Sequence, residues 1–265
     1  MMSHSRVLAL GIGLTVLITS AECWAKGDGQ DGGLVSVSGG IASPVGSTAV
    51  FENPAGIASV KRLELLATAG FPAAVGDDGT YGLGLNYGKP GFGLAGGALY
   101  SPTPKVSQAY FGLGVEASSL KTSIGISGRT PISPTGNSAF NLGVLIEPAA
   151  SFQFGFTAIN VGNSVDEFGF GLSTAIASEA VFVTDLTLDQ HLKNPVLAPG
   201  IRVGGGEAQL SVSYGFKLSS NDPFSSQQIA EGISLGGGLK LGNSVSWEIY
   251  YHKFSKYFTA LAFAL

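Results

Sequence analysis

Two stretches have the spacing of loops that do chemistry elsewhere. Gly91-Phe92-Gly93-Leu94-Ala95-Gly96 fits G-x-G-x-x-G, whose glycines let a pyrophosphate approach the backbone at a helix start. Gly232-Ile233-Ser234-Leu235-Gly236 fits G-x-S-x-G, which presents a nucleophilic serine at a strand-to-helix elbow. The first requires a βαβ unit, and the second requires Asp and His partners. Neither setting is present, because both motifs fall within alternating strand patterns, so nucleotide binding and ester hydrolysis are not expected. Outside the N-terminal leader, the histidines are His191, in the segment DQHLKN, and His252, near a strand end. They are too few and too scattered for a metal site. The expectation is a protein that is not an enzyme and needs no cofactor or metal. The side chains left to consider are seven charged residues: Glu116, Glu147, Asp185, Arg202, Lys217, Lys240 and Glu248. What they do depends on the elements that position them.

Those elements are strands. From Leu63 onward the chain is a series of segments with period two, the repeat of a strand whose successive side chains point to opposite faces. Ala208–Leu218 sets Leu210, Val212, Tyr214, Phe216 and Leu218 against Gln209, Ser211, Ser213, Gly215 and Lys217. Val245–His252 sets Val245, Trp247, Ile249 and Tyr251 against Ser246, Glu248, Tyr250 and His252, and the tail to Leu265 completes a final hairpin. Leu120–Ser127 and Phe140–Glu147 repeat the theme. Turn residues punctuate the series at Gly76–Gly79, Lys89–Gly91, Pro102–Pro104, Asn163-Ser164, Asn221–Pro223 and Gly242-Asn243. About fourteen strands result. One face is large and apolar, often ending in Tyr or Trp, and the other is Gly, Ser, Ala and scattered charge.

Composition decides which face meets which solvent. Of the 265 residues, 45% are hydrophobic and only 12% charged, where ordinary globular domains carry about 25%. A soluble sheet would expose the second face, which has too few Lys, Glu and Thr to serve as a watery surface. A barrel in lipid inverts the pattern, apolar outward and small or polar inward, and leaves no edge unpaired. By strand parity the seven charged residues then point into the lumen, where an ionised group needs water or a partner. They either pair with one another and with whatever fills the barrel, or line a polar path. The net charge of −4 comes with no basic stripe, so nucleic acid is not an expected partner.

Residues 1–25 read as a secretory signal peptide: a short polar start, an apolar run from Val7 to Ile18, and Cys23-Trp24-Ala25 for cleavage before Lys26. The run is short of the ~18–20 residues of a membrane-spanning helix. Lys26–Gly40 is a Gly-rich linker. Ile41–Val60 has neither helical nor strand period and precedes the barrel. It has a short helical turn over Ser47–Phe51 and a turn at Asn53-Pro54.

That segment, Ser47-Thr48-Ala49-Val50-Phe51-Glu52-Asn53-Pro54-Ala55-Gly56-Ile57, resembles the Asn-Pro-Ala-Gly segment of the FadL/TodX outer-membrane barrel superfamily, a group that includes PorV-like and conjugation-associated relatives. In that superfamily a small residue and Ala-Val-Phe/Trp precede Asn-Pro-Ala-Gly, and the segment forms a hatch inside a fourteen-stranded barrel. The resemblance implies an all-β fold: a transmembrane antiparallel β-barrel of 12–14 strands over 63–265, with the linker and a small N-terminal hatch over 26–62. It places Phe51, Asn53, Pro54, Ala55 and Gly56 in the hatch. On this view Asn53 clamps the turn against the wall, Pro54 fixes its shape and Gly56 permits close approach. It further implies a Gram-negative outer-membrane protein, in contact with outer-membrane lipid, that binds and passes small hydrophobic compounds. The alternative is a structural barrel subunit of a secretion or conjugation apparatus, with protein partners and no transport of its own. The chain is short for a fatty-acid transporter of this kind and ends on Leu265 where phenylalanine is usual.

Overall fold

The computed structural model describes residues 41–44, 48–72, 79–102, 105–134, 138–161, 167–189, 191–193, 195–205, 207–218, 232–242, 244–252 and 256–265. The leader and linker expected over 1–40, most of the turn at 76–79, and the turns at 163–164 and 221–223 lie outside the described residues.

Fourteen strands form one closed antiparallel barrel. They are β1 (Glu64–Pro72), β2 (Thr80–Lys89), β3 (Phe92–Ser101), β4 (Val106–Ala117), β5 (Thr122–Ser133), β6 (Ala139–Ala149), β7 (Phe152–Val161), β8 (Glu167–Ala177), β9 (Ala180–Asp189), β10 (Val196–Gly205), β11 (Ala208–Lys217), β12 (Gly232–Leu241), β13 (Val245–His252) and β14 (Lys256–Ala264). Each pairs with its sequence neighbours, and β14 closes on β1 with Glu64 opposite Ala264 and Pro72 opposite Lys256. Closure leaves no edge, so the ladders satisfy the strand backbone without water.

The alternation expected from the sequence is inside-out relative to a soluble sheet. In β2, Tyr81, Leu83, Leu85 and Tyr87 are exposed while Thr80, Gly82, Gly84, Asn86 and Gly88 are buried. Leu94, Phe111, Ile124, Phe154, Phe170, Leu210, Val212 and Tyr214 continue the exposed apolar surface around the barrel. An apolar surface encircling a closed barrel is suited to lipid rather than water. Among the described residues no helix is long and apolar enough to cross a membrane, which says nothing about strands.

One end of the barrel carries only short connections, 90–91, 118–121, 150–151, 178–179, 206–207 and 242–244, together with the start of β1 and the end of β14. The connections at the other end include the longest one, 218–231. One strand departs from expectation. β5 does not run over Leu120–Ser127: Leu120 closes the 3-10 turn Ser118–Leu120, and the strand continues through Pro131 to Ser133. Proline is tolerated there because β5 pairs with β6 only as far as Arg129–Ala139, whereas Pro131 pairs only with Gln108 of β4.

The buried core is the barrel's interior. The segment Thr48–Val60 lies inside, with a 3-10 turn over Pro54–Ser59. Ala49, Val50 and Ile57 pack against inward Leu66, Ala95, Leu99, Tyr110, Tyr250, Ala260 and Ala262. A second cluster joins Ile41 to Val196 and Ala198 of β10.

Candidate functional site: the barrel interior

The inner segment is built around Asn53, which is completely buried. Its Oδ1 accepts the Ala55 N–H at 3.1 Å and so caps the 3-10 turn. Its Nδ2 donates to the Ile41 carbonyl at 2.8 Å and to the Val144 carbonyl of β6 at 3.3 Å. One amide thus ties the turn to the start of the segment and to the wall. Pro54 occupies the first position of the turn, where its missing N–H costs nothing. At Gly56 a β-carbon would sit 2.5 Å from Pro44 Cγ and 2.9 Å from Ala49 Cβ, so the segment folds onto itself only with glycine there. Ala55 is fully buried, and Phe51 meets Tyr110 edge-on with ring centroids 4.9 Å apart.

The wall accepts this segment by lacking side chains. A β-carbon at Gly93 or Gly114 would collide with the backbone at Ile57–Ala58, one at Gly125 with Pro54–Ala55, one at Gly143 with the Asn53 side chain, and one at Gly155 with Ile41–Ala42. Backbone lies on backbone over β3–β7. The inward glycines of the sequence are therefore the docking surface.

Polar side chains hold the remainder. The Ile41 N–H donates to Asp185 Oδ1 of β9 at 3.1 Å, and Arg202 Nη2 of β10 donates to Ser43 Oγ at 2.9 Å. The Thr48 hydroxyl lies 3.0 Å from Glu52 Oε1 and 3.2 Å from Glu248 Oε2, so its one proton is offered to two buried carboxylates. Of the seven charged residues with inward parity, Asp185, Arg202 and Glu248 thus reach the inner segment. Glu147 and Lys217 are half-buried near opposite ends of the lumen, while Glu116 and Lys240 are exposed where their strands reach the end with the short connections.

Several buried polar groups were not singled out by the sequence reading. Glu52 lies in a stretch without period, which gives no parity from which to place it. Arg129 falls beyond the expected end of β5. It projects inward and donates through Nη2 to Asn160 Oδ1 at 3.0 Å, and Asn141 Oδ1 accepts the Asn160 N–H at 3.0 Å. Glu167 and Asp189 sit at strand ends, where parity reads the same as for a solvated loop. The two glycine-rich motifs are wall. Gly93 and Ala95 of the first motif are inward residues of β3. Ser234 is an inward residue of β12 whose Oγ lies 2.9 Å from the Tyr250 hydroxyl.

No protein-family model matches the chain, and no curated protein matches it. Among solved structures it is similar to the CymD monoaromatic hydrocarbon channel at 12% identity, with a TM-score of 0.56 over 88% of this chain and 97% of that one. It is also similar to the TodX deltaS2S3 mutant monoaromatic hydrocarbon channel, at 10% identity and a TM-score of 0.47 over 87% of this chain and 97% of that one. The KdgM porin matches at 8% identity and 0.44, over 76% of this chain and 99% of that one. The CymD likeness, at that identity, speaks to the fold: a barrel of the outer-membrane type.

Proposed function

We propose that this chain is an outer-membrane channel of FadL-like type that binds small hydrophobic compounds and passes them across the outer membrane, with residues 41–60 serving as its hatch. The observation that carries this reading is the chemistry of the inner wall. A water-filled porin lumen is polar. Here Leu66, Leu99, Tyr110, Ala260 and Ala262 face inward and meet Phe51 of the inner segment. Such a surface gains by contact with an apolar solute. Support also comes from the fold shared with CymD, whose own description is a monoaromatic hydrocarbon channel. The mechanism is binding on the apolar wall, displacement of the hatch, and release through the wall or to the periplasm. It involves no chemical step.

The second reading, a structural subunit of a secretion or conjugation apparatus, is favoured by the tightness of the interior, where Ile57, Leu66 and Asn53 are completely buried. The test is binding of N-phenyl-1-naphthylamine to the purified barrel in detergent, alongside native mass spectrometry of protein extracted from outer membranes. Transport predicts saturable binding weakened several-fold by Phe51→Ala, and a monomer that carries a bound amphiphile. An empty lumen with a stoichiometric protein partner would instead establish the subunit role, and recovery in the soluble fraction alone would overturn both.

A further inference from the structure

Two hydroxyls on the apolar wall have nothing to bond. Tyr110 and Thr68 are each only 5% exposed, and neither Tyr110 Oη nor Thr68 Oγ1 has a hydrogen-bond partner among the described residues. Buried hydroxyls are normally satisfied. The register brings these two close together. One inward row runs Leu66, Gly84, Gly97, Tyr110 across β1 to β4, and the next runs Thr68, Gly82, Leu99 across β1 to β3. Gly84 and Gly97 leave room for the Tyr110 side chain to extend along its row. Its hydroxyl stands where a β-carbon at Gly84 would be, and 2.7 Å from the place of one at Gly97. The Thr68 hydroxyl likewise takes the place of a β-carbon at Gly82, beside Leu99. Successive inward places along β2 are ~6.8 Å apart, so both hydroxyls border one small area of the wall.

The inner segment brings Phe51 to that area, where its ring meets Tyr110 edge-on. Phe51 is only half-buried, so the contact is not sealed. A solute that parts the two rings breaks an aromatic contact, and it makes one on each side only if it carries a ring itself. To that extent a hydrocarbon and a phenol are equal. The hydroxyls separate them. Tyr110 and Thr68 break no side-chain bond in turning to a solute, so a bond formed there is gain. Phe51 has no polar side-chain atom with which to compete for it.

We propose that the compounds this channel prefers are hydroxylated aromatics, phenols above all. The ring enters between Phe51 and Tyr110, and the hydroxyl bonds that of Tyr110, with Thr68 as the second partner. A phenolic hydroxyl both donates and accepts, and so suits two partners that do the same. The inference rests on the channel reading and narrows it, from small hydrophobic compounds in general to those that carry a polar group on a ring.

The test compares 1-naphthol with 1-methylnaphthalene, which differ by a hydroxyl in place of a methyl group. Each is titrated against N-phenyl-1-naphthylamine bound to the purified barrel in detergent, its free concentration corrected for partition into empty micelles. In the wild type, 1-naphthol should displace the probe at a roughly threefold to tenfold lower free concentration, the range of one net hydrogen bond. Tyr110→Phe keeps the ring and should bring that ratio to near unity; Thr68→Val should lower it by a smaller factor. Heat-modifiable gel migration checks that each variant is a folded barrel. Equal displacement by the two compounds in the wild type would overturn the inference and leave the channel reading standing, as would a wild-type ratio in the folded variants. No binding of the probe or of either compound would remove the channel reading, and this inference with it.

Discussion

Asn53→Ala should loosen the inner segment while leaving the barrel intact. Truncation removes the cap on the Ala55 N–H, worth about 1 kcal/mol. It also strands the buried Ile41 carbonyl, a loss of about 1–3 kcal/mol. The 3.3 Å contact to Val144 is long and adds little. The sum is about 2–4 kcal/mol, a rise of roughly 30-fold to 1,000-fold in the population of the undocked segment. Hydrogen exchange read by mass spectrometry in detergent reports this directly, since local opening sets the rate at which protected amides exchange. The amides to follow are Gly56, bonded to the Asn53 carbonyl, and Val60, bonded to the Ile57 carbonyl. The ladder amides of β4–β6 serve as the control. Asn53→Asp separates the contributions: it keeps the capping oxygen but faces the Ile41 and Val144 carbonyls with a carboxylate, and should exchange faster than the alanine variant. Unchanged exchange at Gly56 and Val60, or equal acceleration in β4–β6, would refute the reasoning.

Gly143→Leu puts a side chain where the Asn53 amide lies. It should expel the segment from a folded, heat-modifiable barrel and raise single-channel conductance in planar bilayers; wild-type conductance would show that the segment does not occlude the lumen. Asp185→Ala leaves the buried Ile41 N–H without its acceptor and should loosen the segment's start by about 1–3 kcal/mol, whereas Asp185→Asn retains an oxygen and should cost less. Exchange at the Ile41 amide would rank the two. Leu83→Arg, at an exposed position on β2, should destabilise the barrel in liposomes by about 2–4 kcal/mol in urea unfolding if that face meets lipid, and have little effect if it meets water.

The wall was legible in the sequence because period two leaves little freedom: the face of Leu210, Val212, Tyr214 and Phe216 could only be the opposite of the face of Ser211, Ser213 and Gly215, and the shortage of charge decided which met lipid. Pro131 was the exception. A proline ends a strand only where the ladder needs its N–H on that side, and the stagger between β5 and β6 is set by pairings that a local pattern does not contain. Arg129 was lost with that boundary. The Asn53-Pro54 turn was also visible. The bonds of Asn53 to Ile41, twelve residues away, and to Val144, ninety-one away, were not, since nothing local specifies a contact made only when the barrel closes. The inward glycines could be read as spare volume, but which of them take the segment follows from its path.

That path bears on how the interior can open. Ile41 is bonded to Asp185 on one side of the lumen, and the Pro54–Ser59 turn lies on β3–β6. The Asn53–Ile41 bond joins the two ends, so the segment is tied across its fold and moves most cheaply as one piece. Docking against the wall is largely backbone on glycine, which offers few side-chain interlocks to break on leaving. The bonds of specific geometry are those from Asp185, Arg202 and Glu248. All three come from β9, β10 and β13, outside the β3–β7 glycine surface. A solute that inserts between Phe51 and the Leu66–Leu99 wall competes with apolar packing alone. One that displaces the whole segment must also replace those polar contacts. If the barrel works as the proposed channel, this energetic asymmetry puts the first step of opening at the apolar side, where Phe51 meets Tyr110.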